Sequence, residues 1–194
     1  VQKQWHNILF FIILALFIIP QTRKPIQVTI NRVFSFSPTT IDEKDRPVLS
    51  SYNWQLRSLN GQQVKFDRSQ NKPIVLNFWA TWCAPCREEI PDLKALHADL
   101  HEEGLRVIGI ALDREGREVV APFVDKLDIP YPIVIDSDGA AESAFGPLPG
   151  LPTTLLVTPD GQVTKRVLGI FPAEGMRSTL EQMLNSDGAS SGTT

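Results

Sequence analysis

Cys83 and Cys86 are the only cysteines in the chain, and two residues separate them. That C-x2-C spacing admits three chemistries: a structural disulfide, a metal clip, or a dithiol that opens and closes in thiol–disulfide exchange. A staple over so short a ring constrains little of the unfolded chain, so stabilisation is a weak reason for the pair. The metal reading has to recruit His97 and His101, which complete C-x2-C-x10-H-x3-H, near the spacing of a small zinc finger. If Cys86 and His97 share one helix, their separation along its axis is about 16 Å, whereas ligands of one zinc lie within ~4 Å of each other. The histidines read instead as polar positions near a helix end that favours partial positive charge. No metal is expected.

The elements around the pair favour reactivity. Pro73 to Ala80 (PIVLNFWA) is a mostly apolar run of strand length, as a central strand covered on both faces would be. A helix is expected from Ala84 to about Glu102, with Ile90, Leu93, Leu96 and Leu100 on one face and a kink at Pro91. Cys83 then falls at the strand-to-helix junction, where unpaired amides and the positive end of the helix dipole stabilise a thiolate. Trp82 is expected to border an exposed Cys83 sulfur, and Pro85 fits an early helical position without losing a hydrogen bond. Cys86, one turn further in and partly shielded, is placed to attack a mixed disulfide formed on Cys83.

The other elements supply a frame. At 194 residues the chain suits one domain with extensions, able to bury a core without disulfides. Its net charge of −3 gives no basic field for nucleic acid, and its fifteen prolines, many beside strand-like runs, suit a mixed α/β fold. A hairpin is expected from Trp54–Leu59 and Gln63–Phe66, with Asn60-Gly61 as a two-residue turn. Strands are predicted at Leu105–Leu112, Tyr131–Ile135, Thr154–Thr158 and Val163–Leu168. Helices are predicted at Gly116–Leu127, around Ala140–Phe145, and at Pro172–Leu184. The result is a central mixed sheet with helices on both faces.

The N-terminus differs in kind. Ile8 to Ile19 is twelve apolar residues without a charge, about 18 Å of helix against a ~30 Å hydrocarbon core. Extended by its polar flanks, with Lys3, Arg23 and Lys24 snorkelling, it is expected to anchor the chain; a cleaved signal segment is the alternative. The charges on its two sides do not fix its orientation. The expected organisation is an anchor or signal over 1–22, a tether over 23–50 with a weak strand at Ile26–Phe36, the folded domain over 51–185, and a flexible tail over 186–194.

In combination, "FWATWCAPC", the proline five residues after Cys86, and "GLPTT" before a strand resemble the thioredoxin superfamily over roughly Ser51 to Leu184. Within it, "NFWATWCAPCREEIP", the added helix and strand between Gly116 and Ile135, and the apolar N-terminus resemble the membrane-tethered TlpA/ResA group and its cytochrome c maturation relatives. The resemblance implies a thioredoxin-like fold and an extracytoplasmic thiol–disulfide oxidoreductase, mostly a reductant, on the periplasmic side of the cell membrane. It implies Cys83 as attacking cysteine, Cys86 as resolving cysteine, and Pro152 as a cis-proline facing them, with Leu151 offering its backbone to an extended substrate. Asn77 stands where typical thioredoxins keep a buried aspartate. Glu89, one turn after Cys86, matches a glutamate of the TlpA/ResA group and is expected to take over proton transfer, which requires burial to raise its pKa. Trp79 is expected in the core.

The implied partners are protein disulfides and thiols, a membrane electron donor of the thiol-reducing type, and the membrane itself, with no cofactor beyond the Cys83–Cys86 disulfide and no nucleic acid. Three alternatives remain. A disulfide-forming oxidase differs in reduction potential. A thiol peroxidase of the same superfamily would want a threonine where Ala80 stands. A Cu(I)-binding protein would use the paired thiolates, but no methionine or histidine lies near them in sequence.

Overall fold

The computed structural model describes residues 39–40, 53–67, 71–146 and 148–190. The apolar segment Ile8–Ile19, the weak strand at Ile26–Phe36 and residues 191–194 lie outside the described residues. Among the described residues no helix is long and apolar enough to cross a membrane.

The strands are β1 (Thr39–Thr40), β2 (Asn53–Arg57), β3 (Gln63–Asp67), β4 (Ile74–Trp79), β5 (Arg106–Ala111), β6 (Ile133–Ile135), β7 (Thr153–Val157) and β8 (Val163–Leu168). Among the described residues the helices are α1 (Ala84–Leu100), α2 (Arg117–Leu127), α3 (Ala140–Phe145) and α4 (Ala173–Ser190). Six strands form one sheet in the order β1-β8-β7-β4-β5-β6, and β2 and β3 form a separate hairpin. β4, β5 and β6 run parallel, joined by the crossovers α1 and α2, while β7 is antiparallel to β4 and β8 to β7. The sheet is mixed, as the alternation of elements predicts.

β4 is buried along its whole length, and its alternating side chains feed two cores. Val75 and Trp79 enter one with Leu93, Leu96 and Leu100 of α1 and Met176 and Leu180 of α4. Leu76 and Phe78 enter the other with Ile108, Ile110 and Leu155. There Phe145 of α3 meets the Phe78 ring edge-on at 5.7 Å. Truncating a residue buried as deeply as Leu93 to alanine costs about 2–5 kcal/mol, so the packing of α1 fixes what its first turn presents.

Four sequence expectations need revision. Arg57 pairs with Gln63, so the hairpin loop has five residues, and only Gly61 within it has positive φ. Asn60-Gly61 is not a two-residue turn because the loop is claimed from outside: Leu59 N–H donates to Ile133 O at 2.7 Å, and Ser58 bridges to Val134. β6 begins at Ile133 rather than Tyr131, since Pro130 and Pro132 carry no N–H for a ladder. α4 continues to Ser190, into the stretch expected to be a flexible tail. β1 falls within the stretch expected to be a tether, where Thr39 and Thr40 pair with Arg166 and Lys165 on the sheet edge.

Candidate active site

Because β4 and β5 are parallel and β7 is antiparallel to β4, the end of β4, the end of β5 and the start of β7 meet at one edge of the sheet. Phe78 pairs with Thr153, so Pro152 emerges where β4 runs out toward the cysteines. The Leu151–Pro152 peptide is cis, Pro152 is buried and Leu151 half-buried. Pro152 O accepts from Gly169 N–H at 2.9 Å, which ties this turn to the end of β8.

Cys83 and Cys86 are joined in a disulfide with their Cα atoms 5.3 Å apart. Cys83 is the N-cap of α1, with extended backbone (φ −79°, ψ 106°), and its sulfur accepts from Cys86 N–H at 3.3 Å. Pro85 follows in the first turn, as expected. The sulfur therefore sits where the helix offers unpaired donors, which is the environment that lowers a thiol's pKa. Cys83 is only 5% exposed, contrary to the open sulfur expected, because in the oxidised pair it is turned back onto its own helix. The exposed group is Trp82, at 68%. Cys86 is fully buried.

Glu89 lies three residues after Cys86 on the same face of α1 and is fully buried. Asn77 Nδ2 donates to its Oε1 at 2.7 Å, and Phe171 N–H, from the loop before α4, donates to its Oε2 at 2.8 Å. Asn77 Nδ2 also donates to Thr154 Oγ1 of β7 at 3.0 Å. Burial pushes the Glu89 carboxyl from 4.5 up to about 7, against the lowering effect of the Phe171 and Asn77 hydrogen bonds, with the charge of Asp92 adding to the rise. The burial that proton transfer at Glu89 requires is thus present, and Asn77 is in direct contact with it.

Two residues at this edge carry no sequence motif. Asp113, just past β5, is 1% exposed and accepts three hydrogen bonds from Thr81 in the turn before Trp82. Asp113 is separated from the cysteines by a whole helix and strand, and only its place directly after an apolar strand hints at a role. Phe171 contributes through its backbone, which side-chain reading does not detect.

His97 and His101 lie at the far end of α1, their rings stacked at 4.8 Å, and His101 Nδ1 meets His97 O at 2.8 Å. His97 also packs against Tyr131, and burial with the neighbouring His101 lowers its pKa. It is therefore held toward the neutral form rather than charged as the helix-end reading expects. Trp79 is in the core, beside Phe123 at a ring separation of 5.5 Å.

The AhpC/TSA family model matches residues 51–166. A thiol-disulfide oxidoreductase ResA of Bacillus thuringiensis subsp. konkukian (strain 97-27) is 32% identical over 145 residues, which cover 74% of this chain and 82% of the relative. The chain belongs to this family of thioredoxin-like thiol–disulfide oxidoreductases. Among solved structures, a secreted thiol-disulfide isomerase from Corynebacterium glutamicum matches with a TM-score of 0.67 at 26% identity, covering 78% of this chain and 98% of that one. StoA from Bacillus subtilis, at 22% identity and a TM-score of 0.61, covers 68% of this chain and 98% of its own, and shares the thioredoxin-like fold. In such an oxidoreductase, a buried dithiol at a helix N-terminus with a carboxyl one turn away can exchange disulfides and move the accompanying proton.

Proposed function

We propose that this oxidoreductase reduces disulfides of extracytoplasmic proteins while tethered to the membrane by its N-terminal segment, and is itself re-reduced by a membrane thiol donor. The Cys83 thiolate attacks one sulfur of the substrate disulfide, and the other substrate sulfur leaves as a thiolate that takes up a proton from water. Cys86 then passes its proton to the Glu89 carboxylate and attacks the Cys83 sulfur. The Cys83–Cys86 bond forms and the Cys83–substrate bond breaks; the second substrate sulfur leaves as a thiolate that takes up the proton from Glu89, so that two electrons and two protons have moved to the substrate. Leu151 offers its backbone to the extended substrate, Pro152 turns the chain so that its ring covers the disulfide, Trp82 forms the rim, and no cofactor beyond the dithiol is needed.

The observation that carries this reading is Glu89, fully buried one helical turn after Cys86 with a pKa brought to about 7, where it can accept and return a proton at neutral pH. The test is a Cys86→Ser variant expressed with its native anchor. Capture of envelope proteins through mixed disulfides on Cys83 supports the reading, and their identity names the clients. No capture by reduced protein rejects it. A reduction potential near the strong-oxidant end, ~−120 mV, would reverse the direction of electron flow.

A further inference from the structure

Among the described residues, the turn that presents Cys83 is anchored by side-chain hydrogen bonds to one residue, Asp113. The last rung of the sheet on this side is Leu112 N–H to Trp79 O, at 2.9 Å. Beyond it the chain forms a turn closed by Cys83 N–H to Ala80 O at 3.1 Å and then enters α1. Trp82 faces solvent and cannot fix this turn. Thr81 is held instead: its N–H lies 3.2 and 3.1 Å from the two carboxylate oxygens of Asp113, and its hydroxyl donates to Oδ1 at 2.5 Å. A carboxylate withdrawn from water needs such partners to offset its desolvation. Among the described residues they all come from Thr81, two positions before the attacking sulfur. Asp113 O, its backbone carbonyl, also accepts from Gly116 N–H at 3.0 Å, which holds the Asp113 backbone in the turn between β5 and α2.

We propose that Asp113 is a positioning residue for disulfide exchange: through Thr81 it sets the turn that aims the Cys83 sulfur at the incoming disulfide. This rests on Cys83 being the attacking cysteine. Without Asp113 the Thr81 N–H loses its acceptor, the turn loosens, and the sulfur spends less time in line with the bond it must break. Misplacement of this kind costs tenfold or more in rate, roughly, without any change in the chemical groups.

The experiment uses the reduced Cys86→Ser protein and follows its reaction with 5,5′-dithiobis(2-nitrobenzoate) against pH, which yields both the thiolate pKa and the limiting rate of thiolate attack. Asp113→Ala, which removes all three bonds, is expected to lower the limiting rate by about tenfold, Thr81→Val, which keeps the N–H bonds, by about threefold, and the double variant no further than Asp113→Ala, because the two residues act as one unit. Asp113→Asn keeps an acceptor for Thr81 and should stay within about threefold of the parent. A folded Asp113→Ala protein with the parent's limiting rate overturns the proposal, as does an Asp113→Asn protein as slow as Asp113→Ala, which would mean that charge is what matters. If Asp113→Ala does not fold, Thr81→Val alone decides, since it removes only the hydroxyl bond to the carboxylate. A Cys86→Ser parent that does not react at all would instead reject Cys83 as the attacking cysteine.

Discussion

Glu89 follows the cysteine pair by one helical turn, and Asp113 holds the residue two before it; both carboxylates are withdrawn from water, yet their partners are arranged in opposite ways. Glu89 takes one hydrogen bond from β4 and one from the loop before α4, so its donors come from segments 12 and 82 residues away. Those bonds do not offset its burial, and its pKa rises to about 7. Asp113 accepts three bonds, all of them from Thr81 among the described residues. The first arrangement suits a group that changes protonation state during the reaction, the second a group that fixes the geometry of a neighbour.

The division is broken most sharply by kinetics. Glu89→Gln should slow resolution of the mixed disulfide by about 100-fold, within the range of general-base effects, and abolish the titration near pH 7. Asp113→Asn should leave that titration in place. Stopped-flow measurement of the Cys86 step from pH 5 to 9 checks both, and loss of the titration in Asp113→Asn would end the distinction.

A smaller effect lies in stability. The folded-state pKa of Glu89 is raised above its ordinary 4.5, so the folded protein binds this proton more tightly than the unfolded chain. The resulting stabilisation is fully present below pH 4.5 and is lost as pH rises through 7, amounting to about 3 kcal/mol. Glu89→Gln should therefore gain stability relative to wild type between pH 5 and 8, less the cost of turning an amide toward donors. Urea unfolding of the oxidised proteins at those two pH values measures it. Asp113→Ala, by contrast, should lose about 1–3 kcal/mol for the Thr81 N–H left without its acceptor. The smallest expected change is in Thr154→Val, which deprives Asn77 of one acceptor but leaves its bond to Glu89, at about 1 kcal/mol by the same unfolding assay.

The legible parts of the fold and site are those encoded by local pattern. The apolar run of β4, the helical spacing of Ile90, Leu93, Leu96 and Leu100, and the placement of Cys83 between them are short-range features, and the junction forms where they meet. Glu89 was visible only because it lies one turn from Cys86 and through family resemblance. Asn60-Gly61 departs from the two-residue turn its local preference favours because a tertiary partner, β6, outweighs that preference. Thr81–Asp113 and Glu89–Phe171 span 32 and 82 residues, so they depend on which strand ends the topology gathers at one edge, and one of them runs through a backbone amide.

That backbone amide has a spectroscopic consequence. Neither Asn77 Nδ2 nor Phe171 N–H has a lone pair to accept the O–H of a neutral carboxyl, and a hydroxyl oxygen accepts more weakly than a carboxylate oxygen. Proton uptake by Glu89 therefore has to alter at least one of the two bonds, and the Phe171 amide proton is a built-in indicator of it: in a ¹H–¹⁵N spectrum of the oxidised protein, its chemical shift should titrate with a midpoint of about 7.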